Sequence, residues 1–294
     1  MEAEGRQIHI DALRGVAVAL MVMVHAAATW NPFSTSQPSP LAYIVSGLGG
    51  LAAPLFVTLL GWGLMKATLS FHQRWTRALF LFACQFLVNI SAPHLFEPFT
   101  PGVLSLMGLL VLLEPLWAWP FKTYRNPIMP LILLSALCCS IILLFPELQG
   151  EGIWGLRVQT PDAPTALSHL LLTGTYPLFP WVLFAALGGM LQRMEQQELT
   201  HFYTASITFG LIFSSLTLAY SISIEQAWAL PSGDAVLTFF PSNAPFLVAA
   251  MTGVLLFWSS SSYLLSRATI LSQTGRTSLT VYVAHFIPLA LFHT

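Results

Sequence analysis

The sequence Asp11-Ala-Leu-Arg-Gly-Val-Ala-Val-Ala-Leu-Met-Val-Met-Val-His25 decides the fold, because every residue from Val16 to Val24 is apolar. With the residues on either side, positions 10–30 form a stretch long enough to cross a bilayer as a helix, which takes roughly 20 residues. Eight more such stretches cover residues 47–66, 77–93, 101–120, 127–146, 175–192, 202–223, 243–262 and 277–293. We therefore predict an all-α, polytopic integral membrane bundle of nine transmembrane helices, with ten as the alternative count, in one domain over residues 1–294.

The composition excludes most classes of soluble protein. Only 8% of the residues are Asp, Glu, Lys or Arg, against about 25% in an ordinary soluble domain, and the mean hydropathy is +0.72. These charges are too few to coat a water-soluble globule, and a net charge of −1 leaves no basic surface for nucleic acid. The three cysteines lie inside apolar runs and form no Cys/His motif, so we expect neither a metal site nor cysteine chemistry.

Basic residues are distributed unevenly over the two sides of the predicted bundle. With the N-terminus in the cytoplasm, nine spans leave only Arg157, of eleven Lys and Arg residues, on the outer side. The ten on the inner side are Arg6, Arg14, Lys66, Arg74, Arg77, Lys122, Arg125, Arg193, Arg267 and Arg276. Because cytoplasmic segments of membrane proteins carry an excess of Lys and Arg, this asymmetry supports both the orientation and the number of spans.

The first stretch has an alternative interpretation as a signal peptide, because the small residues Ala26–Ala28 follow its apolar run. Glu2 and Glu4 remove the positive excess that normally precedes such a run. We therefore expect the first helix to be retained.

Three ionisable residues, Asp11, Arg14 and His25, lie within the first predicted span. Such groups are costly in a bilayer and tend to mark a functional site. Asp11 and Arg14 share a helix face and can pair, and a salt bridge at the membrane edge is the simpler interpretation of these two. His25 lies about three turns and roughly 16 Å beyond Arg14 on nearly the same face, and interfacial hydrogen bonding is its alternative role.

The spacing of Asp11, Arg14-Gly15 and His25 resembles the opening helix of the transmembrane acyltransferase superfamily. That group includes acyltransferase family 3 and the bacterial relatives of heparan-α-glucosaminide N-acetyltransferase. Four further segments look like later helices of the superfamily, in order along the chain: Ala53–Gly61, Tyr176–Trp181, Phe240–Ser242 and Gly275–His285. Members usually have ten or eleven spans, against about nine here. Since an Asn matches His25 in the animal lysosomal enzymes, the family 3 assignment of this histidine fits the sequence better.

The resemblance implies an acyltransferase that moves an acyl group, often acetyl, from cytoplasmic acyl-CoA to a hydroxyl or amine of a sugar, a glycan or a lipid-linked acceptor. It implies His25 as the catalytic base and includes Arg14 and Asp11 among the catalytic residues, with Asp11 orienting Arg14. Guanidinium and ammonium groups suit phosphate, so the residues expected to bind the donor are Arg14, Lys66, Arg74, Arg77 and Arg276. Family position places four residues on the outer, acceptor side: Tyr176, Trp181, Tyr282 and His285.

Two other functions remain open from the sequence. A transporter or permease for a sugar or lipid-linked solute would use Arg14 and His25 as a coupling pair, and a helical scaffold subunit would bind neither coenzyme A nor solute. Transporters commonly contain inverted repeats, and the sequence shows no such symmetry. We expect a multi-pass protein of the bacterial inner membrane in contact with membrane lipids, and the sequence leaves a homodimer open.

Overall fold

The chain is nearly all helical in a computed structural model that describes residues 7–30, 40–195 and 199–292. Arg6 of the predicted inner basic set lies outside these residues. The first eight helices, α1 to α8, are Ile8–Trp30, Pro40–Gly49, Ala52–Lys66, Phe71–Ser91, Val103–Leu112, Glu114–Trp117, Trp119–Thr123 and Ile128–Leu144. The remaining helices, α9 to α16, are Trp154–Val158, Ala163–Ser168, Leu178–Arg193, Thr200–Ser223, Ala244–Leu264, Thr269–Arg276, Ser278–Ala284 and Phe286–Leu291. A 3-10 turn at Pro146–Gln149 and a π-helical turn at His169–Thr173 complete the connection between α8 and α11.

All nine predicted stretches coincide with helical segments, but nine spans are not confirmed by length and hydropathy. Among the described residues, four segments meet both conditions: Ile8–Trp30, Gly47–Lys66, Thr200–Ser223 and Ala244–Leu264. A fifth span results if Ala163–Thr173 and Leu178–Arg193, which meet at an angle of 49°, form one broken crossing. The other predicted spans fall on shorter apolar helices, or on α4, whose N-terminal half carries two arginines.

The prediction of an all-α chain holds for the described residues except in one connection. Between α12 and α13, strands β1 (Ala227–Leu230) and β2 (Ala235–Thr238) pair in parallel, with Ala227 opposite Ala235. Each strand has four residues, which is too short for an alternating apolar pattern to be distinguished from an irregular loop.

Helix α1 crosses α14 at a distance that only glycine permits. A Cβ atom on Gly15 would lie 2.0 Å from the carbonyl oxygen of Leu271, and one on Gly275 would lie 1.8 Å from that of Asp11. Small residues allow membrane helices to approach backbone to backbone, where packing contacts replace the hydrophobic effect. The crossing therefore fixes the inner end of α1 against the start of the last helical segment.

A second close crossing joins α3 to α11 in the same way. A Cβ on Gly61 would lie 2.1 Å from the carbonyl oxygen of Ala185, and one on Gly188 would lie 1.9 Å from that of Thr58. The side chains of α11 around this crossing are buried throughout, and Trp181 is fully buried in the main core cluster. This pair of helices forms the rigid centre against which α1 packs.

Candidate active site

The N-terminal end of α1 carries the ion pair that the sequence predicts. Arg14 Nη1 donates a hydrogen bond to Asp11 Oδ1 at 2.6 Å. The α1–α14 crossing brings in Arg276, whose Nε lies 3.6 Å from Asp11 Oδ2. Asp11 is only 2% exposed, whereas the side chains of Arg14 and Arg276 are 30% and 49% exposed. One buried carboxylate thus orients two guanidinium groups whose remaining donors are accessible to an anion.

A cavity of about 240 Å³ opens beside this cluster, with Arg14 and Arg77 as its cationic lining. A narrower cavity of about 50 Å³ lies against Tyr282. Both are lined by Phe56, Met107 and Ser278, so they adjoin. We call these two adjoining cavities the path: it begins at two arginines, has mainly apolar walls and ends at Tyr282, three residues before His285, and neither cavity is lined by His25 or His285.

Two other residues predicted to bind the donor lie outside this lining. Arg74 Nη2 contacts Glu114 Oε2 at 3.1 Å, and Lys122 donates to the other oxygen of the same carboxylate. Glu114 is 3% exposed, so its two cationic partners neutralise a buried charge. Lys66 lies over the ring of Trp62, with Nζ 4.9 Å from the ring centroid. Of the predicted donor-binding set, the structure brings Arg14 and Arg77 to the cavity and Arg276 to the carboxylate that orients Arg14.

The structure brings His25 and His285 into direct contact, although 260 residues separate them in the sequence. His25 Nδ1 lies 2.7 Å from His285 Nε2. The two ring planes are parallel to within 7°, with centroids 5.0 Å apart. Rings stacked face to face cannot hold two nitrogens this close, so the imidazoles meet at their edges and share one hydrogen bond. His285 is 8% exposed and His25 is partly buried.

The histidine pair adjoins a continuous series of aromatic rings. Beginning beside His25, these rings are Phe286, Phe96, Trp154, Phe240 and Tyr176. Tyr176 also packs edge to face on Trp181, at a centroid distance of 5.0 Å. Trp181 is fully buried, so it supports the ring of Tyr176 from the core. Tyr176 is only partly buried, so the predicted acceptor side begins at Tyr176.

Arg157, the one basic residue predicted on the outer side, binds backbone carbonyl groups. Its guanidinium donates to the carbonyl oxygens of Gln149, Gly150, Glu151, Thr173 and Gly174 at 2.8–3.3 Å. Burial lowers the pKa of Arg157 to about 10, so the side chain remains charged at neutral pH. It ties the loop after α8 to the turn before α11, next to the aromatic series.

Sequence reasoning missed the residues that line the path and the ring that adjoins the histidines. Phe56, Met107 and Phe286 are apolar residues inside apolar helices, and nothing in the sequence distinguishes them from core residues. Ser278 had a signal, because it lies in the Gly275–His285 segment that carries part of the resemblance.

The residues described contain no group of three or more His, Cys, Asp or Glu side chains that could hold a metal ion. The histidine pair therefore consists of two imidazole rings that share one hydrogen bond and have aromatic neighbours. An arrangement of this kind can exchange protons, and the ring of Phe286 packs against both histidines.

Comparison with known families gives one match. The model of the family described as heparan-alpha-glucosaminide N-acetyltransferase, catalytic, matches residues 6–224, about three quarters of the chain. The match includes α1 with Asp11, Arg14 and His25, and it ends before the segment that holds His285. No curated protein matches the chain. Of the two branches named by the resemblance, the heparan branch is supported, and the chain belongs to the family of heparan-alpha-glucosaminide N-acetyltransferase catalytic domains.

Proposed function

We propose that this membrane acetyltransferase takes acetyl-CoA from the cytoplasmic side and transfers the acetyl group to the amine of a glucosamine-type sugar on the outer side. Family membership establishes an acetyltransferase. The observation that carries the rest is the path from Arg14 and Arg77 to Tyr282, because it ends at the helix that presents His285 to His25.

The donor fits this path in charge and in shape. Coenzyme A has phosphates at one end and a long, narrow pantetheine arm that ends in the thioester. Arg14 and Arg77 at the entrance suit the phosphates, and the apolar walls formed by Phe56 and Met107 suit the arm. His25 lies eleven residues beyond Arg14, a rise of roughly 16 Å, so the thioester would reach the histidine pair while the phosphates stay at the arginines.

His25 supplies the base in the proposed transfer step. The lone pair of the acceptor nitrogen attacks the thioester carbonyl carbon, a C–N bond forms, and the C–S bond breaks. His25 accepts the proton that the amine loses and returns it to the departing thiolate, so the products are an N-acetyl sugar and the free thiol of coenzyme A. The histidine is regenerated in its starting protonation state.

The aromatic series beside the histidines supports a sugar as the acceptor. Trp154 and Tyr176 belong to this series and lie near the loops tied by Arg157. Aromatic faces pack against the apolar faces of sugar rings, while polar groups at the rim fix orientation. Tyr282 lines the narrow cavity next to His285, and it would contact the acetyl end of the donor.

We also propose nine crossings, with the N-terminus in the cytoplasm of a bacterial cell. The cationic cluster around Asp11 and the separate cluster around Glu114 both draw on the predicted inner set, and Arg157 lies with the outer loops. Several helices shorter than 18 residues would complete their crossings with the turns that flank them.

The test is transfer of labelled acetyl from acetyl-CoA to a glucosamine-terminated glycoside by the purified protein in lipid nanodiscs. We expect His25→Ala to lower kcat by about 10²–10⁴-fold, the usual contribution of a general base, while calorimetry still detects binding of acetyl-CoA. His72→Ala is the matched control, because His72 is exposed near the start of α4. A wild-type protein that neither binds acetyl-CoA nor transfers acetyl would overturn the proposal and favour a permease, and full activity of His25→Ala would remove His25 from the mechanism.

A further inference from the structure

The hydrogen bonds of His285 determine which of its nitrogens carries the proton. His285 Nδ1 lies 2.6 Å from the carbonyl oxygen of Tyr282 and 3.2 Å from that of Val281. A carbonyl oxygen only accepts, so Nδ1 must donate and must carry the hydrogen. A neutral imidazole has one N–H, which leaves Nε2 of His285 with a lone pair.

The shared hydrogen bond also determines which nitrogen of His25 carries the proton. Its Nδ1 lies 2.7 Å from the lone pair on His285 Nε2, so His25 Nδ1 carries the hydrogen of the shared bond. The lone pair of His25 is then on Nε2. A second proton on His285 would reverse the shared bond, but it would place a charge in an 8% exposed ring packed against Phe286. Such a charge is costly to bury, and among the described residues no Asp, Glu, Cys or third His forms a cluster with the pair.

We propose that His285 is a positioning residue that holds His25 in the Nδ1–H tautomer. The hydrogen bonds run from His25 Nδ1 to His285 Nε2, and from His285 Nδ1 to the carbonyl oxygen of Tyr282. This inference rests on the proposed function, since it assigns the base to one atom, Nε2 of His25. Free histidine favours the opposite tautomer, with the proton on Nε2, which would leave no lone pair at that atom. His285 thus does for His25 what a carboxylate does for histidine in a Ser-His-Asp triad, without placing a charge in the membrane.

This role separates His285 from the acceptor-binding role that family position implies. The side chain is buried, and both of its nitrogens are engaged by His25 and by backbone carbonyls. No donor or acceptor of its ring is therefore available to bind a sugar. The family match ends at residue 224, so the positioning role of His285 rests on the geometry alone.

The experiment compares two substitutions that differ in one property. Gln in place of His285 has an amide oxygen that can accept from His25 Nδ1–H, whereas Leu has a similar bulk and no acceptor. We expect His285→Leu to lower kcat by about 10²–10⁴-fold, the range seen when a catalytic histidine loses its base function or is in the wrong tautomer. The KM for acetyl-CoA should change by no more than about twofold. We expect His285→Gln to recover most of that loss.

The decisive measurement is the ¹⁵N spectrum of protein labelled at histidine, in which protonated and unprotonated ring nitrogens are well separated. The signals of His25 are assigned by their disappearance in His25→Asn. We expect Nδ1–H and a bare Nε2 in the wild-type protein and in His285→Gln, and the reverse in His285→Leu.

The possible results distinguish failure of the role proposed for His285 from failure of the proposed function. A wild-type spectrum with the proton on Nε2 of His25 overturns the inference even if His285→Leu fails to fold. Wild-type kcat in His285→Leu, with His25→Ala inactive, also overturns it while the proposed function stands. Full activity of His25→Ala removes His25 from the transfer step and the inference with it, whereas a wild-type protein that neither binds acetyl-CoA nor transfers acetyl overturns the proposed function itself.

Discussion

Arg74 and Arg77 lie one turn apart on α4 and have different partners. Arg74 is 23% exposed and contacts Glu114, which also holds Lys122. Arg77 is exposed and lines the cavity beside Arg14. A guanidinium already paired with a buried carboxylate has little left to offer a phosphate, whereas an exposed one retains its donors. Arg74 therefore neutralises Glu114, and we propose that Arg77 binds the phosphates of the donor.

Substitution of Arg77 tests this division. We expect Arg77→Gln to raise KM for acetyl-CoA by about 5- to 30-fold, equivalent to about 1–2 kcal/mol for a charge-assisted contact, with kcat nearly unchanged because ground state and transition state lose it equally. Steady-state kinetics and calorimetry with acetyl-CoA measure the effect. Arg125→Gln is the control, since Arg125 is an exposed inner-side arginine away from the cavity lining. An equal KM change in both variants would show only a general effect of inner-side charge.

The residues that sequence reasoning located are those whose spacing along one helix carries the information. Asp11, Arg14 and His25 share α1, so the rise per residue is enough to place His25 about three turns beyond the ion pair. The contact between His25 and His285 and the pairing of Arg74 with Glu114 join different helices. Such pairs depend on how helices pack, and no local pattern in one sequence specifies that.

At the scale of helices, the α1–α14 crossing sets the position of the cationic cluster, and substitution of its glycine should loosen it. We expect Gly15→Ala to lower the free energy of unfolding by about 1–3 kcal/mol, the cost of overpacking, because the new Cβ would meet the Leu271 carbonyl oxygen at 2.0 Å. Thermal unfolding in detergent measures the change. Gly47→Ala is the matched control, as nothing lies within 4 Å of its Cβ position, and alanine there should be neutral or stabilising. A Gly15→Ala protein as stable as Gly47→Ala would contradict the close crossing.

The elements that the sequence predicted well are those built from long apolar runs. Hydropathy locates α1, α12 and α13 because a bilayer demands about 20 apolar residues in one helix. It does not locate β1 and β2, or the bend between α10 and α11, since these depend on loops that pack against one another.

At the scale of the whole molecule, the site combines two kinds of surface. Arg14 and Arg77 line the larger cavity, and the aromatic series lies next to the loops that Arg157 ties together. The first surface is cationic and the second is aromatic. We propose that the cationic surface takes the phosphate-bearing donor and that the aromatic surface takes the sugar.

The orientation of the chain in the membrane is part of the nine-span proposal, and it can be tested without an activity assay. With the N-terminus in the cytoplasm, Arg125 lies on the inner side and Asp234 on the outer side, and both side chains are exposed. We expect a membrane-impermeant maleimide to label Asp234→Cys but not Arg125→Cys in sealed right-side-out vesicles, and to label both after the membrane is permeabilised. The three native cysteines are buried or partly buried, and the unsubstituted protein serves as the background control. In the nine-span topology three crossings, α8, α11 and α12, separate the two positions, so labelling of both or of neither in sealed vesicles would contradict that topology.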